Sequence, residues 1–400
     1  MSGTDGGSAQ DSTTSPQRLP LLDERAGAAI STEKSDWMDA FRDTLLIQCD
    51  TAEAREASSL VADRRGAGLV LTGSDAPVAA RALRKHGFEK PLLCDAARYK
   101  GNGRYPASEP FDNQWILSQR KLDLPVLTDS GYVGEGDVTG LRSILARSRE
   151  LGEAVIACLP LHRSWLGERA WLTLLEEEIR TSGVAVALVL EHPGDPLGVQ
   201  KVLRGLLTLL ASGSPVLLLR SDVSAVGALC FGALAAAAGT TSGLRHLYPV
   251  SNENGRFRPA QVSVLIEHCL SYVGADKVAT AVQLTPDQVE RWECDCHTCN
   301  GRMMDHFATI LDRGEKQAAA YSHSLEILIN VHERLRFSSL TPNQRRNSWI
   351  EQCSVAGFYH LDIGRSVNGN WTIPRFLESW RAVGAEFLEP EGAMQELPRG

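Results

Sequence analysis

The sequence has no segment that would carry the chain into or across a membrane. Its richest apolar stretch, residues 225–238, is shorter than the roughly 20 residues that a transmembrane helix needs. Residues 1–20 contain neither the positive start nor the apolar centre of a secretory signal peptide. We therefore expect a cytoplasmic protein with no membrane partner.

The nine cysteines lack the even number and regular spacing of a disulfide-bonded scaffold. Three of them crowd into the six residues from Cys294 to Cys299. Others, such as Cys49 and Cys158, lie in apolar runs, where a free cysteine packs as a small core residue. This usage is typical of a reducing compartment and leaves the group of three as the feature to explain.

The chain also lacks an excess of positive charge, since it has 41 Lys and Arg against 49 Asp and Glu, a net charge of −8. Affinity for a phosphate backbone comes mainly from Lys and Arg, so the surface as a whole is not built for nucleic acid. A local basic patch is still compatible with this balance. The hydrophobic fraction of 43% is ordinary for a globular protein and predicts a sizeable buried core.

Short apolar runs alternate with helical stretches over much of the chain. Most runs are continuous in hydrophobicity, as expected for parallel strands covered on both faces. Eight strand–helix units predict an α/β fold, a (β/α)8 barrel of the TIM type. The predicted strands are residues 44–49, 68–71, 91–94, 124–127, 154–159, 184–190, 215–219 and, more weakly, 240–247.

The same pattern divides the chain into four parts. Residues 1–35 are a polar tail with too few apolar side chains to fold, and residues 36–260 form the barrel. Residues 261–345 form a zinc-binding helical subdomain that completes the barrel, and residues 346–400 are a C-terminal extension. We expect helices at 223–238, within the barrel, and at 261–271, where the subdomain begins.

Charged and polar residues follow the predicted strands, at positions that meet on the C-terminal face of a barrel, where active sites are built. Of these, Asp129 and Asp222 are the candidate catalytic carboxylates. The candidate substrate-binding residues, four of which would suit an anion, are Ser130, Arg98, Arg220, Arg245 and His246. The alternatives are that Asp129 and Asp222 cap turns or helices and that the arginines tie barrel loops together.

The three clustered cysteines, Cys294, Cys296 and Cys299, have the spacing C-x-C-x2-C, which lets three thiolates wrap one zinc ion. A tetrahedral site needs a fourth ligand. His323, on a strongly helical segment, is the preferred candidate over His297, which lies inside the turn, and His306. The sequence therefore predicts one structural zinc ion as the cofactor.

Two stretches resemble the tRNA-guanine transglycosylases. That family carries C-x-C-x2-C followed about two dozen residues later by a helical histidine, after a (β/α)8 barrel, as in Cys294, Cys296, Cys299 and His323. Residues 329–337 resemble the family's next helix. Residues 128–131, with the sequence T-D-S-G, resemble the family's strand-end segment whose aspartate contacts the purine base and takes part in acid–base chemistry.

The resemblance implies exchange of guanine or 7-deazaguanine on a nucleic acid or nucleoside, with Asp129 acting on the base. The family's nucleophilic aspartate, in an F-D-C segment on the last barrel strand, has no counterpart in residues 239–246. Asp222 is then the candidate for a displaced nucleophile. The candidate partners are tRNA or DNA, a purine or 7-deazapurine base, and a second copy of the chain.

Two other functions fit the same sequence. One is a non-catalytic zinc-containing barrel that binds such a ligand or partners an active subunit, which the missing nucleophile favours. The other is a barrel enzyme that acts on a small anionic metabolite, which the arginines at the strand ends favour.

Overall fold

Eight parallel strands form the centre of the molecule, which is described here from a computed structural model. They pair in the order β3-β2-β1-β8-β7-β6-β5-β4, which nearly closes a barrel, so the predicted (β/α)8 fold is confirmed. The strands are β1 (Thr44–Asp50), β2 (Ala67–Thr72), β3 (Leu92–Asp95), β4 (Val126–Leu127), β5 (Val155–His162), β6 (Ala185–Glu191), β7 (Val216–Ser221) and β8 (Ala235–Gly239).

The structure describes residues 36–250, 261–335, 337–367 and 371–389. The chain divides into two compact units, Met1–Asp36 and Trp37–Gly400, and the second holds all of these strands. The predicted tail, residues 1–35, lies outside the described residues. Among the described helices, none is long and apolar enough to cross a bilayer.

Neighbouring residues of each strand face two different apolar layers. Leu46 on β1 packs with Val70 and Leu217 inside the barrel, whereas Leu45 and Ile47 pack against the surrounding helices. All five side chains are fully or almost fully buried. Burial on both faces is the physical reason why these strands read as continuous apolar runs in the sequence.

Helices α1–α9 surround the strands. Asp137 caps α5, because its side chain accepts a hydrogen bond from the backbone N–H of Gly140. The helices are α1 (Asp36–Phe41), α2 (Ala54–Val61), α3 (Ala76–Lys85), α4 (Asn113–Arg120), α5 (Val138–Glu150), α6 (Ser164–Gly167), α7 (Arg169–Ser182), α8 (Gln200–Ala211) and α9 (Ser224–Cys230).

The eighth strand is not where the sequence predicts it. The predicted strand at 240–247 and the predicted helix at 223–238 are both wrong in extent, since α9 ends at Cys230 and β8 is Ala235–Gly239. Alanine favours helices intrinsically, but this segment pairs with β1 on one side and β7 on the other. Tertiary pairing therefore overrides local propensity here.

The chain after the barrel begins with a hairpin, not with the predicted helix at 261–271, which is wrong. Residues 262–266 are rich in the β-branched residues Val and Ile, a composition that fits a strand. The remaining elements are β9 (Ser263–Ile266), β10 (Ser271–Gly274), β11 (Glu293–Cys294), β12 (Arg302–Met303), α10 (Ala275–Leu284), α11 (Val289–Trp292), α12 (His306–Thr309), α13 (Arg313–Arg334), α14 (Pro342–Ser366) and α15 (Arg375–Gly384).

The long helices α13 and α14 cover the outside of the barrel beside its first and last units. α13 contacts α2, and Arg64 after α2 forms an ion pair of 3.0 Å with Glu333. α14 contacts α9, where a Cβ added to Gly227 would lie 2.4 Å from the indole nitrogen of Trp349. The absence of a side chain at Gly227 thus permits this close approach.

Candidate functional site

Three thiols and one imidazole converge in the C-terminal region. The Nδ1 atom of His323 lies 3.5, 3.3 and 3.4 Å from the sulfurs of Cys294, Cys296 and Cys299. Ligands around one tetrahedral zinc ion are separated by roughly 3.6 Å, given the usual metal–sulfur and metal–nitrogen bonds. All four side chains are buried, and their ligand atoms lie within 4.8 Å of one another. The cluster can therefore hold one metal ion.

The imidazole of His323 is oriented for this role by a backbone carbonyl. Its Nε2 atom lies 2.9 Å from the carbonyl oxygen of Leu265 on β9, so Nε2–H donates there and Nδ1 faces the thiols. Ser324, the next residue on α13, accepts a hydrogen bond from the Leu265 backbone at 3.0 Å. Such outer contacts select the tautomer of a ligating histidine.

The two competing histidines are placed differently. His297 is exposed, and its backbone N–H donates to Glu326 at 2.9 Å. His306 approaches the cluster from outside, with its Nε2 atom 3.3 Å from the sulfur of Cys299. The four residues that the structure brings together are thus the predicted ones.

A buried polar network fills the axis of the barrel near its C-terminal face. The guanidinium of Arg220 donates to the hydroxyl of Tyr99 at 2.8 Å and lies 3.5 Å from Asp95. Tyr99 donates to Asp95 at 2.6 Å, and Gln48 donates to the same carboxylate oxygen at 2.9 Å. The side chains of Arg220 and Asp95 are 0% and 2% exposed, so no ligand reaches this network from solvent.

The backbone of Arg220 is also constrained. Its φ angle of +51° lies in the left-handed region, which is uncommon for a residue with a side chain. Its N–H donates to the side-chain oxygen of Gln48 at 2.8 Å, and its guanidinium donates to the Gly243 carbonyl at 2.9 Å. The surrounding contacts hold Arg220 in the barrel axis, where its side chain fills space and its charge balances that of Asp95.

Two further carboxylates at the strand ends, those of Asp129 and Glu191, are each paired with an arginine. Arg98 bridges to Asp129, which also accepts from the backbone N–H of Asp112 at 3.0 Å. Arg104 bridges to Glu191 and stacks on the ring of Tyr132, its guanidinium carbon 3.5 Å from the ring centroid. These contacts fit the alternative given above for the arginines, that they hold the barrel loops together.

Ser130 is buried beside Asp129 and exchanges a hydrogen bond of 2.8 Å with Thr128. Thr128 in turn accepts a hydrogen bond of 2.9 Å from the backbone of Cys158 on β5. The T-D-S-G segment is thus held by the neighbouring strand and by the Arg98 bridge.

A separate cleft opens beside the ends of β6, β7 and β8. It has a volume of about 450 Å³, within the range of small-molecule sites, and Asp222, Arg245 and His246 line it. Its lining does not include Asp129, Arg98 or Arg220. The structure therefore brings three of the predicted site residues together and sets the others apart.

Asp195, which follows β6, joins Asp222 in the cleft. Its Oδ1 atom accepts from the Leu197 backbone at 2.9 Å, and Oδ2 is buried without a hydrogen-bond partner among the described residues. Burial raises the pKa of Asp195 well above its usual range, and the charge of Asp222 raises it further. The protonated form of Asp195, which can donate a proton, is therefore favoured over that of an exposed aspartate.

Asp222 lies in a mixed environment. Burial raises the pKa of its carboxyl, while a backbone hydrogen bond from Ser224 and the charge of Arg245 oppose that shift. Its Oδ1 atom accepts a hydrogen bond from the Ser224 N–H at 2.9 Å. This contact also fits the alternative that Asp222 caps a turn or helix. Arg245 stacks on Tyr272, with its guanidinium carbon 3.3 Å from the ring centroid.

The histidine of the cleft is neutral at physiological pH. Burial lowers the pKa of His246 to about 4, and the positive charges of His192 and the arginines lower it as well. Its Nε2 atom is buried and has no partner among the described residues, and its ring lies 4.2 Å from the ring of Tyr248. A neutral imidazole and an adjacent aromatic ring suit a planar heterocycle.

Sequence reasoning missed part of this cleft. Asp195 follows a predicted strand, a signal that could have placed it in the candidate set. Tyr272 on β10 and Arg375 at the start of α15 carry no such signal, because only the docking of the C-terminal elements brings them to the cleft.

A larger groove, of about 1330 Å³, runs beside the metal cluster and α14. Its carboxylates outnumber its two arginines, Arg291 and Arg334, so it repels a phosphate backbone. The acidic residues along it are Glu267, Asp287, Glu290, Glu293, Asp295, Glu326 and Glu351.

Comparisons with known protein families and with curated proteins do not identify a family for this chain. No family model matches the chain, and no curated protein matches it in sequence.

We predict that the purified protein holds about one metal ion per chain. Cys296→Ser should lose the ion and destabilise the C-terminal region, because a site of this kind contributes folding free energy directly. His297→Ala, which removes an exposed neighbouring imidazole, is the matched control and should keep the ion. Elemental analysis of chelator-free protein that finds no metal would contradict the assignment.

We also predict that Asp195 makes stability depend on pH. The folded chain keeps a proton on Asp195 that the unfolded chain releases above the usual carboxyl pKa of 3.8. The free energy of unfolding should therefore fall as pH rises from there to the raised pKa, by at most about 1.4 kcal/mol per pH unit.

Asp195→Asn removes this titration and keeps the Oδ1 acceptor. Its melting temperature relative to wild type should increase as the pH rises from the usual carboxyl pKa towards the raised pKa of Asp195. Parallel curves for the two proteins across that range would show that Asp195 ionises normally in the fold.

Proposed function

We propose that the protein binds a purine or 7-deazapurine base in the Asp195–Asp222 cleft and exchanges it on a nucleoside or nucleic acid. The observation that carries this proposal is the pair of carboxyl groups in one cleft, one of which has a buried, unpartnered oxygen. Glycosidic bonds are commonly cleaved between two carboxyl groups, one protonated and one ionised.

The resemblance to the tRNA-guanine transglycosylases supports the choice of substrate. The cysteine–histidine cluster and the T-D-S-G segment occur in that family's order, and the barrel that precedes the cluster fits it. The chain departs from the family at β8, whose sequence Ala235–Gly239 contains no carboxylate. The nucleophile must then come from a neighbouring strand end, and Asp222 follows β7.

The exchange we propose has two displacements. The Asp222 carboxylate attacks the ribose C1′ atom, the bond from C1′ to the base nitrogen breaks, and Asp195 gives its proton to the departing base. The incoming base then attacks C1′, the bond to Asp222 breaks, and the proton of the incoming nitrogen returns to Asp195. Both carboxyl groups end in their starting states.

In this proposal Asp129 does not act on the base but holds a loop at the barrel mouth. Its carboxylate is bridged to Arg98 and buried, and a buried ion pair is strongly held because either partner alone would be an uncompensated charge. The Arg98–Asp129 bridge fixes the segment between β3 and β4.

We propose further that the metal ion is zinc and that its role is structural. Three thiolates and one imidazole are ligands that zinc prefers, and four protein ligands leave no position open for a substrate. The cluster ties the β11–β12 hairpin to α13, which lies against the barrel.

A second function, ligand binding without catalysis, is favoured by one observation. The barrel axis, where a last-strand nucleophile would face, is filled by the Arg220–Asp95 network. A barrel of this kind would bind the base in the cleft and act as a carrier or a sensor of it.

Exchange is tested by incorporation of labelled guanine and 7-deazaguanine into tRNA and DNA. Wild type should incorporate label, Asp222→Asn should lose it by on the order of 10³-fold or more, and Asp195→Asn by about 10²-fold. Metal content should be unchanged in both variants.

Asp129→Asn is the contrasting variant, and its loss of activity should be smaller than that of Asp195→Asn. If the order is reversed, the catalytic centre lies at the Arg98–Asp129 bridge. If wild type incorporates no label but guanine raises its melting temperature, the binding function replaces exchange, because a ligand of the folded state stabilises it.

A further inference from the structure

The cleft has a rim built by the C-terminal extension. Pro374, Arg375 and Phe376 line it, at the first turn of α15. The helix has ten residues, and no side chain caps its N-terminus. The Leu377 N–H donates to the Pro374 carbonyl at 3.2 Å, which leaves the N–H groups of Arg375 and Phe376 and the positive end of the helix dipole to face an anion.

Arg375 is an unpaired charge at this rim. It is exposed and has neither a hydrogen bond nor an ion pair within the part of the chain that the structure describes. Arg98, Arg104 and Arg220 at the barrel mouth each contact a carboxylate, and Arg245 donates to the carbonyls of Gly239 and Thr240. Arg375 thus differs from them in having its guanidinium free.

The rim is held rigidly against the barrel loops. The hydroxyl of Ser379 donates to the Gly198 carbonyl at 3.1 Å, and the indole of Trp380 donates to Ser224 at 3.1 Å. A Cβ added to Gly198 would lie 3.3 Å from the Cβ of Arg375. The first turn of α15 is therefore placed by the loops after β6 and β7, which carry Asp195 and Asp222.

The charges of the cleft favour an anionic ligand. Burial raises the pKa of Asp195 and lowers the pKa of His246 to about 4, so burial favours the neutral form of both side chains. Arg245 and Arg375 also line the cleft, and burial raises the pKa of Asp222 as well, which disfavours negative charge on both carboxyl groups. The unpartnered Asp195 Oδ2 and His246 Nε2 atoms independently indicate a polar ligand deeper in the cleft.

We infer that Arg375 and the first turn of α15 form a phosphate subsite, so that the ligand of the cleft is a purine nucleotide and not the base alone. This inference rests on the proposed function for the identity of the heterocycle. The phosphate belongs either to a free nucleotide or to a nucleic-acid backbone, and the chemistry that Arg375 recognises is the same in both.

The test compares guanosine, guanosine 5′-monophosphate and a short single-stranded RNA with one guanosine, by calorimetric titration of the full-length protein. The monophosphate should bind about tenfold more tightly than guanosine, as one charge-assisted contact provides. Arg375→Ala should remove that advantage while leaving guanosine affinity unchanged, and Arg375→Lys should keep part of it. Tighter binding of the RNA than of the monophosphate would assign the phosphate to a nucleic acid.

Arg381→Ala is the matched control, because Arg381 is exposed on the same helix and does not line the cleft. It should retain the full advantage of the monophosphate. Equal affinity of wild type for guanosine and its monophosphate would overturn the phosphate subsite and leave the proposed base-binding function standing.

A separate measurement keeps the subsite testable if no nucleoside binds. Inorganic phosphate should raise the melting temperature of wild type above that in sodium chloride of equal ionic strength, and Arg375→Ala should abolish the difference. A phosphate effect that persists in Arg375→Ala, or is absent from wild type, overturns the inference.

Discussion

The buried contact between Arg220 and Asp95 closes the barrel axis and so determines where a ligand can meet this protein. An unpaired charge in that position would be strongly destabilising, and Tyr99 and Gln48 complete the set of donors that the Asp95 carboxylate needs. With the axis filled, and with Asp129 and Glu191 each bridged to an arginine, the open polar groups lie to one side, beyond the ends of β6, β7 and β8. The position of the cleft follows from that closure.

The C-terminal half of the chain gives this off-centre cleft its remaining walls. The metal cluster ties the β11–β12 hairpin to α13, and α13 and α14 lie along the barrel beside its first and last units. α15 then returns to the loops after β6 and β7, where Ser379 and Trp380 hydrogen-bond to them. α15 also packs against α14 and α8, so the rim of the cleft depends on the C-terminal helices as well as on the barrel.

Local patterns in the sequence were enough for the barrel and the metal ligands. The cysteines are neighbours in the chain. The sequences of β2 and β6 are continuous apolar runs, which indicate burial on both faces of the sheet. The position of β8 was not predicted, because its alanines favour a helix locally and only pairing with β1 and β7 makes this segment a strand. The hairpin of β9 and β10 was not predicted for a different reason, since its apolar runs are too short to distinguish a strand from a helix. The cleft was not predicted, because Asp195, Tyr272 and Arg375 are far apart in the chain and come together only when the C-terminal elements dock on the barrel.

We propose that the protein binds its ligand in the Asp195–Asp222 cleft and not at the barrel axis. A crystal structure of the protein grown with saturating guanine would show which of the two is occupied. We expect the base between Asp195, Asp222 and His246, with a hydrogen bond to the Oδ2 atom of Asp195. A base bound at Asp129 beside the barrel axis, or in the acidic groove near the metal cluster, or no bound base at all, would contradict it.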